Sequence, residues 1–200
     1  FWAENPQLPA APLTHYEIWN EPNLPLYWTE QGDAPQKYAE LFVSARDAIK
    51  RRDPNAKVVT AGLLEMGGTN FLKRMYKHRP ELRDKVDAVG FHPYNPDAEA
   101  QLETISAIRE TLEELDPGVP MELTEAGFDS LRNPEPQRAV ELQELAEGVR
   151  NPELNVSSLL VFSASTIEHD PGQWDQWLGL WNKDGSPKPS AQAYMAAIQS

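Results

Sequence analysis

Two glutamates stand at the ends of predicted β-strands and could act as a catalytic pair. Glu21 belongs to the segment Glu-Ile-Trp-Asn-Glu-Pro-Asn at 17–23, and Glu125 to Met-Glu-Leu-Thr-Glu-Ala-Gly-Phe at 121–128, 104 positions later (125 − 21). In parallel α/β folds, catalytic side chains lie at the carboxyl ends of strands. A carboxylic acid that protonates a leaving oxygen and a carboxylate that attacks an anomeric carbon together hydrolyse glycosidic bonds. The two segments therefore indicate this chemistry.

The local sequence predicts how each carboxyl group is held. Strand alternation puts Glu17, Trp19 and Glu21 in phase. Pro22 is expected to restrict Glu21 to an extended backbone, which would hold its carboxyl group in one direction. By the same alternation Met121, Leu123 and Glu125 share a face, so Glu125 should continue an apolar row.

Short apolar segments alternate with amphipathic ones along the chain, which predicts an α/β fold with a parallel sheet and right-handed crossovers. The continuous apolar run 159–162 is typical of a strand covered on both faces. The predicted strands are 14–20, 57–61, 86–91, 119–124 and 156–162. Five helices are predicted. The first begins near Pro35 and ends before Asp53, and the others cover 70–77, the segment from Leu102 to Leu115, a segment that includes 142–149, and the residues from about 190 to the end.

Composition narrows the classes of function. The 200 residues suffice for one domain, and the net charge of −13 disfavours nucleic acid and anionic membranes as partners while remaining compatible with a neutral sugar. No apolar run approaches the roughly 18 residues of a membrane-spanning helix. The absence of cysteine excludes disulfides and thiolate metal sites. The four histidines lack metal-ligand spacing, so we predict neither a metal nor a cofactor. An extracellular or periplasmic location is the expectation.

Three motifs in order resemble the active-site motifs of glycoside hydrolase clan A. These are Trp-Asn-Glu-Pro at 19–22, Phe-His-Pro-Tyr at 91–94 and Thr-Glu-Ala-Gly at 124–127. The longer segment 17–23 is most similar to family thirty-nine, with family five as a neighbour. The resemblance implies a retaining (β/α)8-barrel glycosidase acting on β-linked sugars, of which residues 1–200 would form the C-terminal part, with strands four to eight.

The resemblance also implies roles for individual residues. Glu21 would be the acid/base and Glu125 the nucleophile, while Asn20 would bind the sugar 2-hydroxyl and Tyr94 would lie near the nucleophile. The family often has a tryptophan at the end of strand eight, where this chain has Phe-Ser-Ala-Ser at 162–165. The predicted substrate-binding residues are Asn20, His92, Tyr94, Trp19, Trp174, Trp177 and Trp181.

Other interpretations remain open at this point. Trp19 and the later tryptophans could simply pack, Asn20 could close a turn, and His92 could be a core histidine. The alternative function is a non-catalytic carbohydrate-binding or structural barrel fragment; a metal-dependent hydrolase would lack convincing ligands.

If strands one to three are missing, the edges of the remaining sheet are unpaired. We then expect an open, C-shaped sheet in which Met121 and Leu123 are poorly covered. We also expect self-association or a requirement for the missing strands, and weak catalysis by the 200-residue piece, which sedimentation and glycosidase assays would test.

Overall fold

The computed structural model describes residues 13–166 and 168–199, in which five parallel strands alternate with five α-helices. The strands hydrogen-bond in chain order, β1-β2-β3-β4-β5. The strands are β1 (His15–Asn20), β2 (Lys57–Leu64), β3 (Val89–His92), β4 (Met121–Ala126) and β5 (Val156–Val161). The helices are α1 (Ala34–Arg52), α2 (Glu65–His78), α3 (Ala98–Leu115), α4 (Glu135–Gly148) and α5 (Pro189–Gln199).

The sheet is strongly curved, as contacts between β1 and β4 show. Three strand spacings would separate these strands by about 14 Å in a flat sheet. Yet the Thr124 hydroxyl donates to Glu17 Oε1 at 2.8 Å, and His15 Nε2 lies 3.6 Å from Glu122 Oε1. The predicted open C-shape is therefore confirmed, and its concave face carries polar groups from both strands.

The apolar core lies between the sheet and the helices. Phe42 of α1, Leu72 of α2, Ile105 of α3 and Leu142 of α4 are all fully buried or nearly so, and they pack with the outward-facing strand residues. Sequence signals set the helix boundaries: Pro35 lies in the first turn of α1, and the Asp97 side chain caps α3 by accepting from the Ala100 N–H at 2.8 Å.

Tyr38 of α1 joins the core to the ends of two strands. Its ring is fully buried, and its hydroxyl donates to the Ile18 carbonyl at 2.9 Å and accepts from the Ala61 N–H at 2.6 Å. Burial raises the pKa of this phenol, so it remains a hydrogen-bond donor. The hydroxyl thus fixes β1 against β2 directly beneath the strand ends.

Tyr38→Phe should lower the free energy of unfolding by about 1–3 kcal/mol, because the buried Ala61 N–H and the partly buried Ile18 carbonyl lose their partner while the ring remains. Urea unfolding of the full-length natural protein would measure this. Tyr16→Phe is the matched control, since the Tyr16 hydroxyl makes one long bond of 3.4 Å to the Leu13 carbonyl at an exposed site. Equal losses from the two substitutions would contradict the role of Tyr38.

Most predicted elements are confirmed, with shifted bounds. β2 continues three residues beyond the predicted end, β3 begins three residues late, and β4 begins and ends two residues late. The second helix begins earlier than predicted, although Met66 and Gly67 in its first turn have non-helical dihedral angles.

Two predictions about burial are wrong. Met121 and Leu123 are fully buried, because they face the helices and not the open concave side. The predicted strand 156–162 is not covered on both faces: Leu160 and Phe162 are 50% and 37% exposed, and β5 is the edge strand of the described sheet. The apolar side chains left exposed are therefore Leu160 and Phe162, and not Met121 and Leu123 as expected from the sequence.

Within the described ranges, no helix combines the length and the hydropathy that a membrane-spanning segment needs.

Candidate active site

Glu21 follows β1 directly and is held in an unusual backbone conformation. Its φ is +42°, so the prediction that Pro22 keeps it extended is wrong. The Glu21 N–H donates to the Gly62 carbonyl at 3.1 Å, and its own carbonyl accepts from the Leu24 N–H at 2.9 Å. These contacts, together with the bond from its side chain to His92, outweigh a local cost of about 1–3 kcal/mol for a left-handed non-glycine residue.

Glu125 lies near the end of β4, where the pairing with β5 is irregular. Leu123 pairs with Leu159 but Ala126 with Val161, so one extra residue of β4 is accommodated between them. Ala126 continues the buried row of Met121 and Leu123, whereas Glu125 is only partly buried. The prediction that Glu125 continues this row is therefore wrong, because the bulge changes the alternation and turns its carboxylate towards the concave face.

Tyr94, which follows β3, holds the Glu125 carboxylate. Its hydroxyl donates to Glu125 Oε2 at 3.0 Å. Burial raises the pKa of Tyr94, and the charge of the Glu125 carboxylate raises it further, so the phenol stays protonated and continues to donate.

His92 lies between the two carboxyl groups and brings the site together. Its Nδ1 is 2.8 Å from Glu21 Oε1 and 3.9 Å from Glu125 Oε2. The facing atoms of Glu21, His92 and Glu125 all lie within 4.8 Å of one another. Carboxyl groups from the turn after β1 and from β4 thus lie close together at the carboxyl end of the sheet.

Two features of the neighbouring strands hold the His92 ring, which is fully buried. Gly62 of β2 leaves room for it, since a Cβ at this position would overlap the ring. On the other side, His92 Nε2 contacts Thr124 Oγ1 at 3.1 Å, and Thr124 in turn donates to Glu17 Oε1. The imidazole therefore has a partner on each nitrogen.

The same three side chains contain atoms that can bind a cation, yet hydrogen bonds account for their closeness. Nδ1 of His92 faces Glu21, Nε2 faces Thr124, and one oxygen of Glu125 accepts from Tyr94. We assign no metal site to this arrangement.

A cleft of about 430 Å³ is lined in part by Tyr94, whose hydroxyl contacts Glu125. Trp174, in the loop after β5, forms one wall; its ring centroid lies 5.1 Å from that of Tyr94 in an edge-on arrangement, and 39% of the residue is exposed. Met66, in the first turn of α2, and Arg132, in the loop after β4, contribute further exposed surface. An exposed aromatic wall of this kind suits the face of a sugar ring.

The remaining predicted site residues are spread out. Asn20 precedes Glu21, and within the described part of the chain its amide forms no hydrogen bond to protein. Trp19 packs edge-on against Trp28, with centroids 5.9 Å apart. Trp177 donates from its indole to the Asp170 carbonyl, and Trp181 packs against the apolar core. Of the three later tryptophans, only Trp174 lines the cleft beside Tyr94.

The structure adds residues that sequence reasoning did not assign to the site. Burial raises the pKa of Tyr27, and the charges of Glu21 and Glu125 raise it further, so its hydroxyl lies within electrostatic range of both. Asn23 joins the loops after β1 and β2 through bonds with the backbone of Leu64. Glu17 lies four residues before Glu21, and Thr124 lies one residue before Glu125. These positions within the motif segments were the sequence signal that could have indicated a place in the site.

The solved structures to which this chain is similar include several glycosidases. A family 39 β-xylosidase from Caulobacter crescentus is 26% identical with a TM-score of 0.69, and the match covers 92% of this chain and 41% of that one. A family 39 glycoside hydrolase from Bacteroides cellulosilyticus WH2 is 19% identical with a TM-score of 0.72, and the match covers 92% of this chain and 40% of that one. A glucosidase from Croceicoccus marinus is 17% identical with a TM-score of 0.76, and the match covers 93% of this chain and 40% of that one. No protein-family model and no curated protein matches the chain.

These similarities confirm the predicted fold. The chain folds as part of a (β/α)8 barrel and is similar to the barrels of clan A glycosidases, those of family 39 among them. It spans about 40% of the length of the neighbours named above.

Proposed function

We propose that this chain carries the catalytic centre of a retaining β-glycosidase, with Glu21 as acid/base and Glu125 as nucleophile. The observation that supports it most strongly is that one oxygen of each carboxyl group lies within 4.8 Å of the other at the carboxyl end of the sheet. Retaining enzymes place the two carboxyl groups about 5–5.5 Å apart, whereas inverting enzymes need about 6.5–9.5 Å to admit a water molecule.

The hydrogen bonds favour this division of roles for the first step. Tyr94 holds Oε2 of Glu125, which leaves Oε1 to attack the anomeric carbon. As the new C–O bond forms, the glycosidic C–O bond breaks and Glu21 gives a proton to the departing oxygen. The Glu21 carboxyl group is nearly buried and contacts His92 Nδ1, whereas the Glu125 side chain is more exposed.

The second step reverses the proton movement. Glu21, now a carboxylate, takes a proton from water while the water oxygen attacks the anomeric carbon and Glu125 departs. Two displacements return the original configuration at that carbon. Asn20, beside Glu21 with an amide unengaged by protein within the described residues, is suited to binding the sugar hydroxyl next to the reacting carbon.

The neighbouring cleft suggests where a further part of the substrate lies. Trp174 and Tyr94 offer aromatic surface beside the reacting pair, and the acidic chain favours neutral over anionic sugars. The neighbours include a β-xylosidase and a glucosidase. We therefore propose β-linked neutral sugars as the substrate class.

Incubation of the full-length natural protein with aryl β-xylosides and β-glucosides, followed by proton NMR of the first product, tests this function. We expect hydrolysis with the β-anomer appearing first. Initial release of the α-anomer would contradict the retaining mechanism. Binding of such glycosides without hydrolysis of any would favour the carbohydrate-binding alternative.

A further inference from the structure

Glu17 is a carboxylate beside the catalytic pair that the proposed mechanism leaves without a role. Its Oε1 accepts from the Gly62 N–H at 2.6 Å and from the Thr124 hydroxyl at 2.8 Å. A chain of contacts then continues from Thr124 to His92 Nε2 at 3.1 Å and from His92 Nδ1 to Glu21 Oε1 at 2.8 Å. The four side chains come from β1, β3, β4 and the turn after β1.

The number of available protons determines the direction of each bond. A threonine hydroxyl has one hydrogen, and here it points to Glu17, so Thr124 can only accept from His92. His92 Nε2 must therefore carry a hydrogen. Oε1 of Glu17 accepts from Thr124 when the carboxyl group is ionised and also when its proton is on Oε2, so this order requires only that Oε1 carries no proton.

The consequence appears at the other nitrogen of the ring. With the hydrogen on Nε2, a neutral His92 presents only a lone pair at Nδ1, and the contact with Glu21 is satisfied only when the pair holds an additional proton. In the opposite tautomer, a neutral imidazole could donate from Nδ1 to an ionised Glu21 and no additional proton would be needed. The contacts of Nε2 with Thr124, and of Thr124 with Glu17, thus affect how strongly Glu21 and His92 together retain a transferable proton.

We infer that Glu17 is a positioning residue which, through Thr124, restricts His92 to the Nε2–H tautomer and thereby keeps a proton on the Glu21–His92 pair. The inference rests on the proposed role of Glu21 as the acid. The proposed role of Glu17 is indirect: it orients the Thr124 hydroxyl, which in turn contacts the His92 ring.

The surroundings of Glu17 agree with this role. Although the residue is exposed on the concave face, the protein around its carboxyl group removes enough water to raise its pKa, against the hydrogen bonds from Thr124 and Gly62, which lower it. The titratable groups that face His92 and this network are Glu21 after β1, Glu17 on β1, Tyr94 after β3 and Glu125 on β4.

The tautomer of His92 can be measured directly in the full-length natural protein. Long-range ¹⁵N–¹H NMR of selectively labelled histidine shows which ring nitrogen lacks hydrogen, and His92→Gln assigns the signal. When the imidazole is neutral, the wild type should have its ring hydrogen on Nε2. Thr124→Val and Glu17→Leu should each move it to Nδ1, while Thr124→Ser, which keeps the hydroxyl, should behave as the wild type.

Activity gives a second measurement. For a substrate with a poor leaving group, the alkaline limb of kcat/KM should move about one pH unit lower in Thr124→Val and Glu17→Leu, as expected when one hydrogen bond to a charged group is lost. A substrate with an activated aryl leaving group should change less than about threefold, because it needs little proton assistance. A general structural defect would affect both substrates equally.

The outcomes are separable. A wild-type His92 with its hydrogen on Nδ1, or variants that keep the wild-type tautomer, would overturn the inference whatever the activity. A wild type that hydrolyses no glycoside would instead contradict the proposed function, because the NMR measurement does not require turnover. If Thr124→Val fails to fold, as amide spectra would show, Glu17→Leu alone decides.

Discussion

Glu125→Ala should abolish formation of a covalent glycosyl–enzyme and lower kcat on the order of 10⁴-fold or more, as expected for loss of a nucleophile. The structure gives the reason: the Tyr94 hydroxyl orients the Glu125 carboxylate through Oε2, and this bond leaves Oε1 unoccupied. Mass spectrometry after treatment with a 2-fluoro glycoside should find one sugar on the peptide containing Glu125 in the wild type and none in the variant.

Azide provides a sharper form of this test. A small anion can enter the space left by the Glu125 side chain and attack the anomeric carbon once, so Glu125→Ala with azide should form an α-glycosyl azide from a β-glycoside. The matched control is Glu122→Ala, on the same strand but paired with His15, which should change kcat less than about threefold. Labelling at another residue would remove Glu125 from the mechanism.

Glu21→Ala should show a strong dependence on the leaving group. Loss of the acid should slow hydrolysis of glycosides with poor leaving groups by about 10²–10⁴-fold, the usual contribution of general acid–base catalysis. Activated aryl glycosides depart without a proton, so their first step should remain fast. Because Glu21 is also the base of the second step, the covalent intermediate should accumulate, and stopped-flow absorbance should record a burst of phenol.

Azide again separates the roles, now with the opposite stereochemistry. It needs no deprotonation, so in Glu21→Ala it should attack the covalent intermediate and yield a β-glycosyl azide. Glu30→Ala is a suitable control, since Glu30 lies in the same loop, is exposed, and pairs with Lys37. If poor and activated substrates slow by the same factor, Glu21 is not the acid.

Much of this arrangement could be predicted from the chain itself. Alternating apolar and amphipathic segments identify five strands and their helices, because burial periodicity is a local property. Asp53 and Pro54 mark the end of α1, because a proline that cannot continue a helix is also a local signal. The order of the three motifs was sufficient to propose which strand ends carry Glu21, His92 and Glu125.

Predictions failed where a long-range contact competes with a local preference. Pro22 favours an extended Glu21, but the contacts with Gly62 and His92 hold it at positive φ. Strand alternation aligns Glu125 with Leu123, but the pairing of β4 with β5 inserts a bulge that reverses its face. Local rules cannot anticipate a register that depends on a neighbouring strand more than 30 residues away.

The sequence by itself determined the type and order of the elements and the identity of the two paired carboxyl groups, since both follow from nearest-neighbour patterns and residue chemistry. Only the tertiary structure decided which groups meet. Glu17 and Thr124 are 107 residues apart and touch because the sheet curves, and that curvature results from the packing of every strand and helix together. The proton order around His92 depends on that contact.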